Sequence, residues 1–223
     1  MKPTSGQLAL LMASVALFAI GGLISLARIW WDRNAVRVAA KASVYWGILA
    51  AIAVIVWHSA ARGQWQPMKD NFESLIWLAV LLALFVLYIQ RVKPIRGLDW
   101  FVMPVVILLL ISAAFFGRWD FREYAPIVTN TWLWVHHASA YGGTAAFAIA
   151  ATVGAMYVIT SRRLREKTPG MGFGSLERLE HLMMTSVTLG FALLTIALIT
   201  GAVRTLCTKR ASSACSLGHE RAQ

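Results

Sequence analysis

Charged residues are scarce in this chain. Only 14% of its 223 residues are Asp, Glu, Lys or Arg, whereas 58% are hydrophobic and the mean hydropathy is +0.63. An average soluble domain has about 25% charged residues, so this composition does not fit one.

The sequence signatures of common enzymes are also missing. There is no GxSxG nucleophile motif, no HExxH zinc motif and no glycine-rich phosphate loop. The two cysteines, Cys207 and Cys215, have a spacing that matches no metal or redox motif. We expect no buried carboxylate inside an apolar run, because Glu73 and Asp99 fall at helix starts. This expectation disfavours a proton-coupled transporter built on an intramembrane acid.

Apolar runs long enough to cross a bilayer recur along the chain. They predict an all-α integral membrane protein, a bundle of about six transmembrane helices. The spans are expected at residues 7–27, 42–60, 74–90, 98–116, 133–160 and 182–203. Residues 1–203 would form one polytopic membrane domain, and residues 204–223 a polar C-terminal tail that is aberrant or disordered.

Lysine and arginine are concentrated in alternate loops. The first, third and fifth loops contain Arg28, Arg33, Arg37, Lys41, Arg91, Lys93, Arg96, Arg162, Arg163, Arg165, Lys167 and Arg178. This asymmetry predicts that those loops are cytoplasmic and that the N-terminus lies outside a bacterial inner (cytoplasmic) membrane. The net charge of +11 is then explained by orientation, and no nucleic-acid partner is expected.

Aromatic residues cluster just before the fifth span. They are Trp119, Phe121, Tyr124, Trp132 and Trp134. One interpretation is an interfacial aromatic belt. The other is a platform for a flat ligand.

Three of the five histidines, His58, His136 and His137, fall at predicted outer ends of helices. Such an imidazole is either an axial haem ligand or an interfacial polar residue bonded to water or backbone. Adjacent helical positions point about 100° apart, so His136 and His137 should face different neighbours. His137 shares a face with Tyr141, and small residues such as Gly142 would let another helix approach closely.

Three segments resemble the CcsA/ResC-type cytochrome c assembly proteins. DNFESLIWLA at 70–79 resembles the family's NxYESL stretch, with Phe72 in place of tyrosine. SLERLEH and LGFALLTIALITGA, within 175–202, resemble SLexLD and GFPLLTxGIxxGA. WVHHASAYGGTAAF is similar to the helix that begins with an outer histidine in this family, and the family pattern favours His137, with Ser139 two positions later, over His136.

The resemblance implies a protein that handles haem on the outer side of the membrane and presents it to apocytochrome c. His137 would be an axial ligand of the iron of haem b, with His58, His136, Trp134 and Trp132 as further cofactor-binding residues. The implied partners are other cytochrome c assembly membrane proteins, apocytochrome c and the lipid bilayer. The chain alone is not expected to be an enzyme.

The residues after Ala202 depart from the family pattern. The family continues with a tryptophan-rich stretch, WGxxWxWDPKE, whereas this chain continues with VRTLCTKRASSACSLGHERAQ. We expect a truncation, a frameshift or a natural short variant. The departure keeps two alternatives open: a HemX-like membrane protein that assists or regulates haem biosynthesis, and an inactive truncated family member. A b-type cytochrome or quinone-interacting subunit would usually place paired histidines deeper in the bilayer.

Overall fold

The computed structural model of the chain describes residues 4–27, 34–61, 71–92, 95, 97–116, 131–166 and 175–220, and for 116, 131–133 and 204–220 it describes the backbone alone. This part of the chain forms six helices: α1 Ser5–Ala27, α2 Asn34–Ala61, α3 Asn71–Val92, α4 Leu98–Phe116, α5 Thr131–Arg165 and α6 Leu176–Glu220. Each contains a stretch long and apolar enough to cross a membrane. The predicted all-α membrane bundle of about six helices is confirmed.

The helices extend beyond the apolar runs from which they are predicted. The α2 helix begins at Asn34 rather than at residue 42, and α5 continues to Arg165 rather than ending at 160. A helix satisfies its backbone hydrogen bonds internally, so it continues through polar residues where the membrane ends. The α6 backbone likewise remains helical through residues 204–220, most of the tail expected to be aberrant or disordered.

The bundle consists of a four-helix group and a flanking hairpin. In the group, α1 contacts α2 and α4, and α3 contacts the same two helices. The α5 helix packs against α3 and α4, and α6 packs mainly on α5. Only 17% of the membrane-crossing part of α6 is buried, compared with 50% for α3. Most of the membrane-crossing part of α6 therefore has an apolar surface suited to lipid.

Small residues allow α1 and α2 to pack closely. The Ser14 hydroxyl donates a hydrogen bond to the Gly47 carbonyl at 3.0 Å, and the Ser43 hydroxyl donates to the Leu17 carbonyl at 2.6 Å. A Cβ atom on Gly47 would lie 3.2 Å from the Phe18 ring. Such contacts hold membrane helices together, because lipid tails are as apolar as the side chains they replace.

Glycines have the same role between α5 and α6. A Cβ atom on Gly143 would lie 2.8 Å from Cγ of Leu194 and 3.1 Å from its backbone nitrogen. A Cβ atom on Gly190 would lie 3.2 Å from the Gly143 carbonyl oxygen. One on Gly142 would lie 3.2 Å from Leu193. The prediction that small residues at the start of α5 admit a neighbouring helix is confirmed for Gly142.

The two ends of the bundle differ in charge. At the end that we call the N-terminal end, α1, α3 and α5 begin, α2 and α4 finish, and α6 completes its crossing. Every lysine and arginine whose side chain the structure describes is exposed and lies towards the opposite end: Arg37, Lys41, Arg91, Arg162, Arg163, Arg165 and Arg178. This is the asymmetry on which the predicted orientation depends.

Candidate functional site

His58 lies in the last turn of α2, at the N-terminal end of the bundle. It is buried, with 4% of its surface exposed. Its ring stands edge-on to the Phe72 ring of α3, with centroids 5.3 Å apart and an interplanar angle of 64°. His58 therefore belongs to the contact between α2 and α3, where the protein shields its imidazole from bulk water.

Glu73 follows Phe72 in the first turn of α3 and is completely buried. The hydroxyl of Ser59, also buried, donates a hydrogen bond to Oε1 of Glu73 at 3.2 Å. The expectation that no carboxylate is buried within a span is wrong for this residue, because the end of α2 covers the start of α3. The sequence therefore provides no argument against proton-coupled transport at this position.

His137 lies in the second turn of α5, at the same end of the bundle, and is half-buried. Its ring stacks on Tyr141, one turn further along, with centroids 6.0 Å apart and an interplanar angle of 30°. The Tyr141 side chain is hydrogen-bonded to Ser74 of α3. The predicted shared face of His137 and Tyr141 is confirmed, and it is directed towards α3.

Residues in the first turn of α3 contact His58 itself and the neighbour of His137. Phe72 contacts His58 on α2, and Ser74 contacts Tyr141, the residue on which His137 stacks. Consecutive residues of a helix point in different directions, so one short segment can contact α2 on one side and α5 on the other.

His136 has a different set of neighbours. Its Nδ1 lies 2.8 Å from the Ala197 carbonyl oxygen and 3.3 Å from the Thr200 hydroxyl, both on α6. A carbonyl only accepts hydrogen bonds, so Nδ1 carries the proton and donates it to Ala197. The ring lies beside Gly201, where a Cβ atom would be 3.1 Å from Cε1. The prediction that His136 and His137 face different neighbours is confirmed.

Replacing His136 by alanine should loosen the contact between α5 and α6. The change removes one hydrogen bond and the packing of the ring against Gly201, a loss of about 1 kcal/mol or more. We expect a lower midpoint of thermal unfolding in detergent. Trp134→Ala is the matched control, because Trp134 is 52% exposed and its removal should leave the midpoint unchanged. An unchanged midpoint in His136→Ala combined with loss of bound haem would instead identify His136 as a ligand.

The tryptophans predicted to bind a cofactor lie in the first two turns of α5. The half-exposed side chain of Trp134 favours the aromatic-belt interpretation. The Trp132 side chain is outside the described residues, as are Trp119, Phe121 and Tyr124. The two remaining histidines are remote from this site or undescribed. His181 is exposed near the start of α6, at the opposite end, and the His219 side chain is not described.

The described residues contain no group of three or more His, Cys, Asp or Glu side chains that could hold a metal ion. Haem needs no such group, since the porphyrin supplies four nitrogen ligands and the protein supplies only the axial ones. His58 and His137 offer imidazole nitrogens, and each has an aromatic neighbour that could contact a porphyrin. This donor set fits haem.

The fold and these residues define a class of protein: a polytopic α-helical membrane protein with histidines grouped at one end of its bundle. Residues 68–203 match the family model described as Cytochrome C assembly protein. The match covers more than half of the chain. The chain therefore belongs to the cytochrome c assembly protein family, as the resemblance of its motifs predicts.

Three curated relatives are similar to this chain. The cytochrome c biogenesis proteins CcsA of Prochlorococcus marinus strains MIT 9312 and MIT 9515 are 26% and 25% identical, over 61% of this chain and 52% of each relative. CcsA of Mesostigma viride is 22% identical, over 61% of this chain and 53% of the relative. The chain thus spans about half the length of the curated relatives it matches. No solved structure was found to match at a comparable level.

Proposed function

We propose that the chain is a haem-handling membrane component of cytochrome c biogenesis. In this proposal it binds haem b near the outer face of the membrane, with His137 as an axial ligand, and holds the haem for delivery to apocytochrome c. The observation that carries the proposal is the grouping of His137 and His58 around the first turn of α3. Family membership supports the class of cofactor.

The chain's own residues would bind and orient the haem, and no catalytic step is assigned to them. His137 stacks on Tyr141, which α3 holds through Ser74, so its ring has a supported orientation. His58 is a further candidate to hold the haem, because it is buried at the same end of the bundle. Haem bound there would supply the vinyl groups to which the cysteines of apocytochrome c become attached.

The proposed orientation places the N-terminal end of the bundle outside a bacterial inner membrane. The exposed arginines and lysines at the opposite end support this orientation, because basic residues are retained on the cytoplasmic side. Haem at the N-terminal end would then be accessible from the compartment in which apocytochrome c is matured. The partners in this proposal are apocytochrome c and other cytochrome c assembly membrane proteins.

A deletion in the native host tests the proposed function. Cells without the chain should lose most of the haem covalently attached to c-type cytochromes, and should keep their b-type cytochromes and total haem. Covalent haem is measured by peroxidase staining after denaturing electrophoresis, and total haem by extraction. A deletion that lowers both pools together would contradict the proposal and favour the HemX-like role in haem biosynthesis. Re-expression of the wild-type chain controls for effects on neighbouring genes.

A further inference from the structure

Glu73 is unusual for a residue in a membrane span, because it carries a carboxyl group and its side chain is completely buried. Burying a carboxylate away from water is unfavourable unless nearby groups compensate it, so such residues usually mark a function. Two compensating features are found among the described residues. Ser59 donates a hydrogen bond to Oε1, and the position in the first turn of α3 is favourable for negative charge.

The place of Glu73 connects it with His58. The residue that holds its carboxylate, Ser59, is the chain neighbour of His58 on α2. The residue that packs edge-on against the His58 ring, Phe72, is the chain neighbour of Glu73 on α3. Two consecutive residues of α2 thus contact two consecutive residues of α3. His58 meets Phe72 through their rings, and Ser59 meets Glu73 through the hydrogen bond. The carboxylate and the imidazole therefore belong to one buried cluster.

From this arrangement we infer that Glu73 is a positioning residue for His58: it fixes the α2–α3 contact that orients the imidazole and places negative charge beside the bound haem. The inference rests on the proposed function, in which His58 helps to hold the haem. Groups outside the ligand shell that orient a metal-ligating histidine commonly affect metal affinity by about 10- to 100-fold. Negative charge near haem iron stabilises the ferric form relative to the ferrous form.

The competing explanation is that Glu73 only joins α2 to α3. The substitution Glu73→Gln distinguishes this explanation from the positioning role, because glutamine has nearly the same shape and can still accept the hydrogen bond from Ser59. A residue that only joins helices should tolerate this change. A positioning residue should not, because the negative charge is gone.

The experiment compares wild-type protein with Glu73→Gln, Ser59→Ala and His58→Ala, all purified in detergent and titrated with haemin. In Glu73→Gln we expect about 10- to 100-fold weaker haem binding and a higher midpoint potential of the bound haem, with an unchanged unfolding midpoint. Ser59→Ala, which keeps the carboxylate, should weaken binding less and leave the potential closer to that of wild type. It also provides a second test if Glu73→Gln does not fold.

The outcomes distinguish the inference from the function on which it rests. If wild type binds haem and His58→Ala weakens binding, wild-type affinity and potential in both Glu73→Gln, which lacks the charge, and Ser59→Ala, which lacks the hydrogen bond, overturn the positioning role alone. If Glu73→Gln does not fold, wild-type affinity and potential in Ser59→Ala overturn it. A His58→Ala protein with an unchanged spectrum removes His58 from the ligands and overturns the inference, whereas the role of His137 stands. Wild-type protein that takes up no haem overturns both.

Discussion

Replacement of His137 by alanine is expected to remove nearly all of the haem that purifies with the protein. The side chain would be the direct axial ligand, so its loss should exceed the roughly 10- to 100-fold effect of changes outside the ligand shell. The measurement is the absorption spectrum of detergent-purified protein, with haem quantified against protein. The Soret band and the α band of the reduced protein should both be lost or strongly reduced.

His181→Ala is the matched control for that experiment. His181 is an exposed histidine near the start of α6, at the opposite end of the bundle, and its removal should leave the spectrum unchanged. Haem retained with an unaltered spectrum in His137→Ala would contradict the assignment of His137. The ligand would then be sought at His58, which is buried at the same end, or at His136, which is engaged with α6.

Replacement of Gly143 by valine is expected to separate α6 from α5. The first added carbon would already lie 2.8 Å from Cγ of Leu194 and 3.1 Å from the backbone nitrogen of that residue. The backbone cannot move aside as a flexible side chain can. Overpacking a core typically costs roughly 1–3 kcal/mol of stability, and we expect a loss at least that large here. We expect a lower unfolding midpoint and faster proteolysis within α6, whose main neighbour is α5.

Gly154→Ala tests whether any added carbon on α5 would have the same effect. A Cβ atom on Gly154 would meet only the Met183 sulfur, at 3.4 Å, which is an ordinary contact with a flexible side chain. This variant should unfold close to the wild-type midpoint. Equal stability of Gly143→Val and Gly154→Ala would contradict the close α5–α6 packing.

The sequence predicts the helices well, because membrane spans depend on a local property. Twenty or so apolar residues in succession must form a helix to satisfy their backbone in lipid, whatever the rest of the chain does. All six spans are found for this reason. Their ends are less predictable: α2 begins at Asn34 and α6 continues to Glu220, through polar residues that hydropathy alone does not assign to a span.

At the site, the sequence also predicts which residues of a single helix lie on the same face. The four-residue spacing of His137 and Tyr141 predicts a shared face, and the rings are stacked. The burial of Glu73 could not be predicted in this way, because it depends on how α2 packs over the start of α3. One sequence signal was available: Glu73 lies within the stretch that resembles the family's NxYESL motif, next to Phe72.

Haem binding by this chain is tested by the haem content of the purified wild-type protein. The protein would be purified in mild detergent as a single species, incubated with haemin, freed of unbound haem and examined before and after reduction. We expect about one haem per chain, with a Soret band and an α band that sharpens on reduction. Folded protein that retains no haem and shows no Soret band would contradict it.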